Sequence, residues 1–438
     1  MMKHHPLKRE RELRGWSLQK IANALNITPR TVSRWERGIS VPYPHYREQL
    51  CALFSKNARE LGLVSKEGEW PEEETISVQS QSLSSLSPEH RLELYDPMTP
   101  RAGAVGLIGR DSLLEQLKQH LCTRDNPTLV AIHGLPGIGK TALAIALASD
   151  AQIRAQYCDG ILWAGLGTAP NVPGLLTRWG TLLGVSSTEV ENPHSLQSWG
   201  QALLAAIGKR RILLVIDDVW SLDAAQALQV GGPHCTHLIT TRSPRIAFGI
   251  AGEGAMEVPE LTDTDGLALL ACYASDLLHQ EREQALALVR SVGSLPLALT
   301  LMGKYLATQA YHCHPRRLQK SLAELHDTKR RLHLDMPVHF LERPPSLSAE
   351  ISLSLHTAID VSTQHLSSQA REALLSLSVF PAKPESFTEE AALAITGISE
   401  EVIDELSDAG LLESSHPGRY CLHKTIVDYA RMCNLKAR

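Results

Sequence analysis

At 438 residues and 43% hydrophobic content the chain has room for about three packed domains; no run approaches the roughly 18–20 apolar residues of a membrane span and no apolar stretch follows Met1-Met2-Lys3-His4-His5-Pro6, which argues against membrane insertion and secretion and for the cytoplasm. The eight cysteines are scattered with no C-x-x-C pair, and neither His234-Cys235-Thr236-His237 nor His312-Cys313-His314 has finger-like spacing, so a disulfide framework and structural zinc are disfavoured. The net charge of −5 divides unevenly: residues 1–50 carry ten Lys and Arg against four Glu, a surplus of +6 that leaves −11 for the rest and marks a polyanion-binding head on an acidic body.

The basic head reads as short helices. Ser17 is placed to cap a helix whose Leu18, Ile21, Ala22 and Leu25 fall at i, i+3, i+4 and i+7, one face of a 3.6-residue period. After Asn26-Ile27, Thr28 is an N-cap, Pro29 suits the first helical position, and residues 30–37 form a second helix closed by Gly38. Its Val32 and Trp35 turn inward while Arg30, Thr31, Ser33, Arg34 and Arg37 stay out.

Over about residues 7–55 this helix-turn-helix pattern resembles the Xre/Cro-like repressor family, through Arg14-Gly15-Trp16-Ser17, Ile21-Ala22 and Val32-Ser33-Arg34-Trp35-Glu36-Arg37-Gly38, followed by Pro42. The resemblance implies DNA as a partner: the second helix enters the major groove with Arg30 and Arg34 nearest the base edges and Thr28 and Arg37 nearest phosphates. Leu18 stands where the family usually has Gln, with Gln19 one place later. A protein-docking module is the alternative reading of the same outward face.

Residues 56–104 shift to Ser, Glu and Pro and read as a flexible linker. From 105 onward strands and helices alternate, as a doubly wound parallel α/β sheet requires, with strands expected at Leu129–His133, Gly160–Gly165, 212–216, 237–241 and 256–258. Beyond Leu261 the pattern is helical to the end apart from the break at Arg343-Pro344-Pro345, and no period of 30–50 residues marks a repeat array.

The first of these strands runs into Gly134-Leu135-Pro136-Gly137-Ile138-Gly139-Lys140-Thr141, a complete phosphate-binding loop. Glycines let the backbone N–H groups of Gly134, Gly137, Ile138 and Gly139 curl round phosphates, Lys140 supplies a mobile positive charge, and the Thr141 hydroxyl suits Mg²⁺. The alanine-rich helix that follows points its N-terminal dipole at the anion. A second signal is Arg211-Ile-Leu-Leu-Val-Ile-Asp217-Asp218: a buried apolar strand delivers two carboxylates at its C-terminal end, where ligands of open α/β sheets collect. Asp217 is placed to hold Mg²⁺ and Asp218 to orient or deprotonate an attacking water.

With these motifs, residues 105–438 resemble an NB-ARC module of the STAND class of signal-transduction ATPases. Gly106-Leu-Ile-Gly109-Arg110-Asp111 is similar to the opening motif, in which the Ile108 backbone and Arg110 contact adenine. Tyr157-Cys-Asp-Gly-Ile-Leu-Trp163 matches the second strand region, and Leu238-Ile-Thr-Thr-Arg242 resembles the sensor strand, whose arginine reaches the terminal phosphate and joins Lys140 and Asp218 in catalysis. Gly293-Ser-Leu-Pro296-Leu-Ala298 resembles the motif whose proline packs on adenine or ribose. The resemblance divides this region into a P-loop nucleotide-binding domain (105–260), a helical domain (261–345) and a winged helix (346–438). The winged helix ends in Leu422-His423-Lys424 where the family has Met-His-Asp, so His423 inherits a diphosphate contact and Lys424 replaces the acidic partner.

Together the resemblances imply an ATP/ADP switch with Mg²⁺ and slow turnover, multidomain, with a helix-turn-helix head: a DNA-binding transcriptional regulator of the STAND class, or an innate-immunity-like signalling ATPase whose head docks a protein partner. Self-association in the ATP state is part of that expectation. STAND proteins usually carry a repeat sensor after the winged helix, and the resemblance leaves two readings here: a sensor on a separate polypeptide as a further partner, or a truncated relative.

Overall fold

A computed structural model describes residues 6–24, 94–101, 105–122, 129–275 apart from 187, 189 and 194, 281–310, 315–336 and 353–437, together with residues 32, 36, 50, 53, 54, 56 and 61. The chain divides into two compact units, Met1–Leu86 and Ser87–Arg438.

In the first unit the helices Pro6–Leu13 and Leu18–Ala24 contribute Leu7 and Ile21 to a small core with Val32, Leu50, Phe54 and Leu61. The Ser17 hydroxyl accepts the Lys20 N–H at 3.1 Å, the cap expected from sequence. Arg11 clasps the buried Glu36 with two bonds of 2.5 and 2.9 Å, and Arg14 lies over the rings of Trp16 and Phe54. Thr28, Arg30, Thr31, Ser33, Arg34 and Arg37, the DNA-facing positions, lie outside the described residues, as does Trp35.

The second unit is built on a six-stranded parallel sheet of β1 (Leu94–Tyr95), β2 (Leu129–His133), β3 (Gly160–Gly165), β4 (Ile212–Val219), β5 (Thr236–Thr241) and β6 (Ala255–Glu257), in the order β1-β3-β4-β5-β2-β6. The central strands β2, β3, β4 and β5 are buried along nearly their whole length because both faces of the sheet are covered, and β4 is apolar up to its two terminal aspartates. Along β4, Leu213 and Val215 point into one core while Ile212, Leu214 and Ile216 point into the other, the period of two that a strand imposes. Leu94–Tyr95 sits within the stretch that composition marks as linker. It is recruited to the sheet edge by the buried Asp96, which accepts the Trp163 N–H at 2.8 Å and pairs with Arg178 at 2.9 Å.

Helices Asp263–Ala271, Arg282–Ser291, Pro296–Ala310, Pro315–His326 and Thr328–Leu332 follow. The expectation of helix alone beyond Leu261 is corrected here: β7 (Asp335–Met336) pairs antiparallel with β8 (Leu353–Ser354), and β9 (Phe387–Thr388), β10 (Glu413–His416) and β11 (Arg419–Cys421) form a second antiparallel sheet. Strands of two to four residues are too short to show an alternating pattern. Helices Leu355–Gln364, Ser368–Leu377, Glu389–Thr396, Glu400–Asp408 and Lys424–Ala437 complete the unit. One apolar core runs from Leu117 and Val130 to Ile426 and Met432, so the carboxy-terminal helices share packing with the sheet. No helix of the described residues is long and apolar enough to cross a membrane.

Candidate nucleotide site

β2 lies between β5 and β6, and β5 separates β2 from β4, so the phosphate loop after β2 and the carboxylates ending β4 open on the same edge. The helix Lys140–Ser149 starts at Gly139, which has φ of 102° and no side-chain cap bond, and a Cβ added there would meet nothing within 4 Å. No side chain caps the first-turn N–H groups, which leaves this helix start available to an anion. Gly134 (φ 142°) turns the chain where a Cβ would stand 3.0 Å from the Val258 carbonyl.

Lys140 Nζ donates to the carbonyls of Gly134 and Leu135 at 2.8 and 2.9 Å. Burial, with the nearby Arg242 charge, pushes its pKa down to about 7. Asp217 is wholly buried: its Oδ1 accepts from the Thr141 hydroxyl at 2.8 Å and the Thr240 hydroxyl at 2.7 Å, while Oδ2 has no partner. Burial pushes its pKa up to about 6, opposed by those two hydroxyls. A buried carboxylate oxygen without a partner, beside the phosphate-loop hydroxyl, has the donor chemistry of a divalent cation site. Among the described residues no group of three His, Cys, Asp or Glu is placed to hold a metal alone, so a cation here also needs the Thr141 hydroxyl and phosphate oxygens.

The β4–β5 register shifts between Ile216 and Val219, and within that irregularity Asp218 has φ of 59°. The bulge turns Asp218 out of the strand alternation, and its N–H donates to Thr240 Oγ1 at 2.8 Å. Arg242 approaches Asp218 Oδ1 at 3.8 Å, but its Nη1 donates to the Ala358 carbonyl at 2.6 Å and to the Ser362 hydroxyl at 2.8 Å, both in the helix Leu355–Gln364. Its guanidinium also lies 4.8 Å over the Trp220 ring, whose centroid is 4.5 Å from that of His365.

Arg110 is buried and donates to the Ile138 carbonyl at 3.3 Å, which ties the opening motif to the phosphate loop. Ile108 packs partly buried against the large core. Pro296 opens the helix Pro296–Ala310, and the next N–H, of Leu297, donates to the Gly137 carbonyl at 3.1 Å. His423 is 2% exposed; Nε2 lies 3.1 Å from the Gly293 carbonyl and Nδ1 2.8 Å from the Thr425 hydroxyl. Because Nδ1 also receives the Thr425 N–H at 3.3 Å, the proton belongs on Nε2, which donates to Gly293. Burial lowers the His423 pKa, keeping the ring neutral.

The structure thus gathers Arg110, Lys140, Thr141, Asp217, Asp218 and Arg242 at the strand ends and links His423 to the same region through residues 293–297. Sequence reasoning missed Thr240, read only as part of the strand leading to Arg242. It also missed Lys383, which joins Glu260 after β6 to Glu413 of β10 at 2.8 and 2.7 Å; scattered single charges carry no sequence signal of a shared ion pair.

Comparison with known proteins agrees with this geometry. Residues 110–277 match the family model for the NB-ARC domain, and residues 7–46 match a helix-turn-helix model. The regulatory protein AfsR of Streptomyces griseus is 26% identical over 332 residues, covering 74% of this chain and 32% of that protein. Apoptotic protease-activating factor 1 of Danio rerio is 26% identical over 384 residues (81% of this chain, 29% of that one), and the disease resistance protein SUMM2 of Arabidopsis thaliana is 24% identical over 274 residues (59% and 30%). The chain spans about a third of the length of these relatives. The phosphate loop and the paired aspartates fall inside the NB-ARC match, so residues 110–277 are similar to an NB-ARC domain and follow a segment, residues 7–46, similar to a helix-turn-helix domain.

Proposed function

We propose that the chain is an ADP/ATP-switched, DNA-binding transcriptional regulator. The observation that carries the switch is Arg242: a side chain rooted beside Asp218 at the nucleotide edge spends its hydrogen bonds on the helix Leu355–Gln364. Arg242 has one guanidinium and two sets of acceptors, the helix or a terminal phosphate, and choosing the phosphate releases the helix. A diphosphate leaves the arginine on the helix; a triphosphate competes for it, which is the differential interaction that a ligand-driven population shift requires.

In this reading the backbone N–H groups of Gly134, Gly137, Ile138 and Gly139 and the Lys140 ammonium bind the phosphates, with Ile108, Arg110 and Pro296 at the base. Thr141 and Asp217 would hold Mg²⁺, which supplies charge neutralisation on the phosphate oxygens when bound. Asp218 orients the attacking water and takes its proton. The segment from 346 onward acts as the winged helix, held to the nucleotide-binding domain by Arg242 and Lys383 and to the helical domain, residues 261–345, by His423 through Gly293. Hydrolysis resets the switch, so slow turnover suffices.

The DNA arm rests on the helix-turn-helix match, the +6 charge of residues 1–50 and the AfsR relatives. Gel shifts test it: salt-sensitive, sequence-selective binding that is lost when Arg30 and Arg34 become alanine supports the regulator. Intact nucleotide-dependent self-association without any DNA binding supports instead a signalling ATPase whose head docks a protein, the reading favoured by the apoptotic and disease-resistance relatives.

A further inference from the structure

Thr240 is 1% exposed, and its hydroxyl bonds to both aspartates at the end of β4. It donates its single hydrogen to Asp217 Oδ1 at 2.7 Å and accepts the Asp218 N–H at 2.8 Å. A hydroxyl has one donor and two acceptor positions, so both bonds are made without conflict. β5 carries Thr240 between β2 and β4, which puts the hydroxyl beside the strand that ends in the phosphate loop and beside the bulge that displaces Asp218.

The two bonds do different things. The first, with the Thr141 hydroxyl on the same oxygen, occupies Oδ1 completely and leaves Oδ2 as the unpartnered atom. The carboxylate is thereby rotated so that one defined oxygen is free. The second bond satisfies the N–H that the bulge takes out of the β4–β5 ladder, and holds Asp218 at its φ of 59°, a conformation uncommon outside glycine that aspartate and asparagine adopt more readily than other residues.

We propose that Thr240 is a positioning residue of the nucleotide site: through one hydroxyl it selects which Asp217 oxygen faces a divalent cation and sets the Asp218 carboxylate relative to it. The inference rests on the Mg²⁺–nucleotide reading above. It assigns to the first threonine of residues 240–242 a role separate from that of Arg242. Valine at 240 keeps the shape and removes both bonds; serine keeps both bonds and removes only a methyl group.

The test uses the full chain and a fluorescent ADP analogue, titrated with excess Mg²⁺ and with EDTA, in the parent, Thr240→Val and Thr240→Ser proteins. Expected is a loss of at least tenfold in the Mg²⁺-dependent gain in affinity for Thr240→Val, with EDTA affinity within threefold of the parent, and a near-parental gain for Thr240→Ser. A Thr240→Val protein with a parental Mg²⁺ gain overturns the inference. So does one that loses EDTA affinity equally with a lowered melting temperature, since that is a folding role alone. A parent with no Mg²⁺-dependent nucleotide binding overturns the underlying reading together with this one, and is told apart by the parent measurement.

Discussion

Arg242 Nη1 donates to the Ser362 hydroxyl at 2.8 Å across 120 residues of sequence, and to the Ala358 carbonyl beside it. A charged donor making two bonds in a partly buried place contributes up to about 1.5–3 kcal/mol per bond. Changing Arg242 to alanine should therefore loosen the helix Leu355–Gln364 by at least tenfold in its opening equilibrium, read as faster amide hydrogen exchange there. Ser362→Ala should do so more weakly. Unchanged exchange in that helix would mean that the arginine does not hold it.

His423 meets the nucleotide-binding region through Gly293. Gly293 has φ of 57°, and a Cβ there would lie 2.5 Å from His423 Nε2. Gly293→Ala should push the ring aside and break its bond to the carbonyl, while Leu297, four residues on, still braces Gly137. We expect ADP release at least tenfold faster in stopped-flow, with His423→Ala showing the same direction. Parental release rates in both variants would remove His423 from the clamp.

Much of this site was legible in the sequence because its parts are local. The phosphate loop and the run ending in Asp217-Asp218 each combine an apolar strand with chemistry in adjacent positions, and β2 and β3 fall at their expected bounds, Leu129–His133 and Gly160–Gly165. What could not be read is pairing at a distance. The family resemblance places Arg242 at a terminal phosphate, but nothing in residues 355–364 announces the acceptors it meets there, and Glu36 is an ordinary helix residue until Arg11 closes on it. Leu94–Tyr95 is a two-residue strand in polar surroundings, held by the Asp96 partners Trp163 and Arg178.

Asp218 has a conformation that asparagine also tolerates, so Asp218→Asn removes the charge with little backbone cost. Turnover should fall about a hundredfold, the usual scale for losing a positioned general base. ADP affinity should stay within threefold. Equal turnover in variant and parent, measured as phosphate release from ATP, would show that Asp218 is not the base.

His237 is pushed down to about 4 by burial, and its Nε2 accepts the Gly231 N–H at 3.3 Å. The folded ring stays neutral where the unfolded chain binds a proton near the ordinary value of 6.5. Its contribution to stability is therefore present above pH 6.5 and is lost as pH falls toward 4. Between pH 7 and 5 the loss from this one group is about 2 kcal/mol. Urea unfolding at the two pH values should show the parent losing more stability than His237→Gln, by about that amount; parallel losses would contradict the assignment.

The central claim is that nucleotide state controls what the basic head does. The most direct measurement is DNA affinity and solution mass of the full chain, loaded in parallel with ADP and with a non-hydrolysable ATP analogue, at fixed salt. The account predicts that the two forms differ, by at least fivefold in affinity for a selected DNA site or by a change of assembly state. Equal affinity and equal mass in both forms would contradict it.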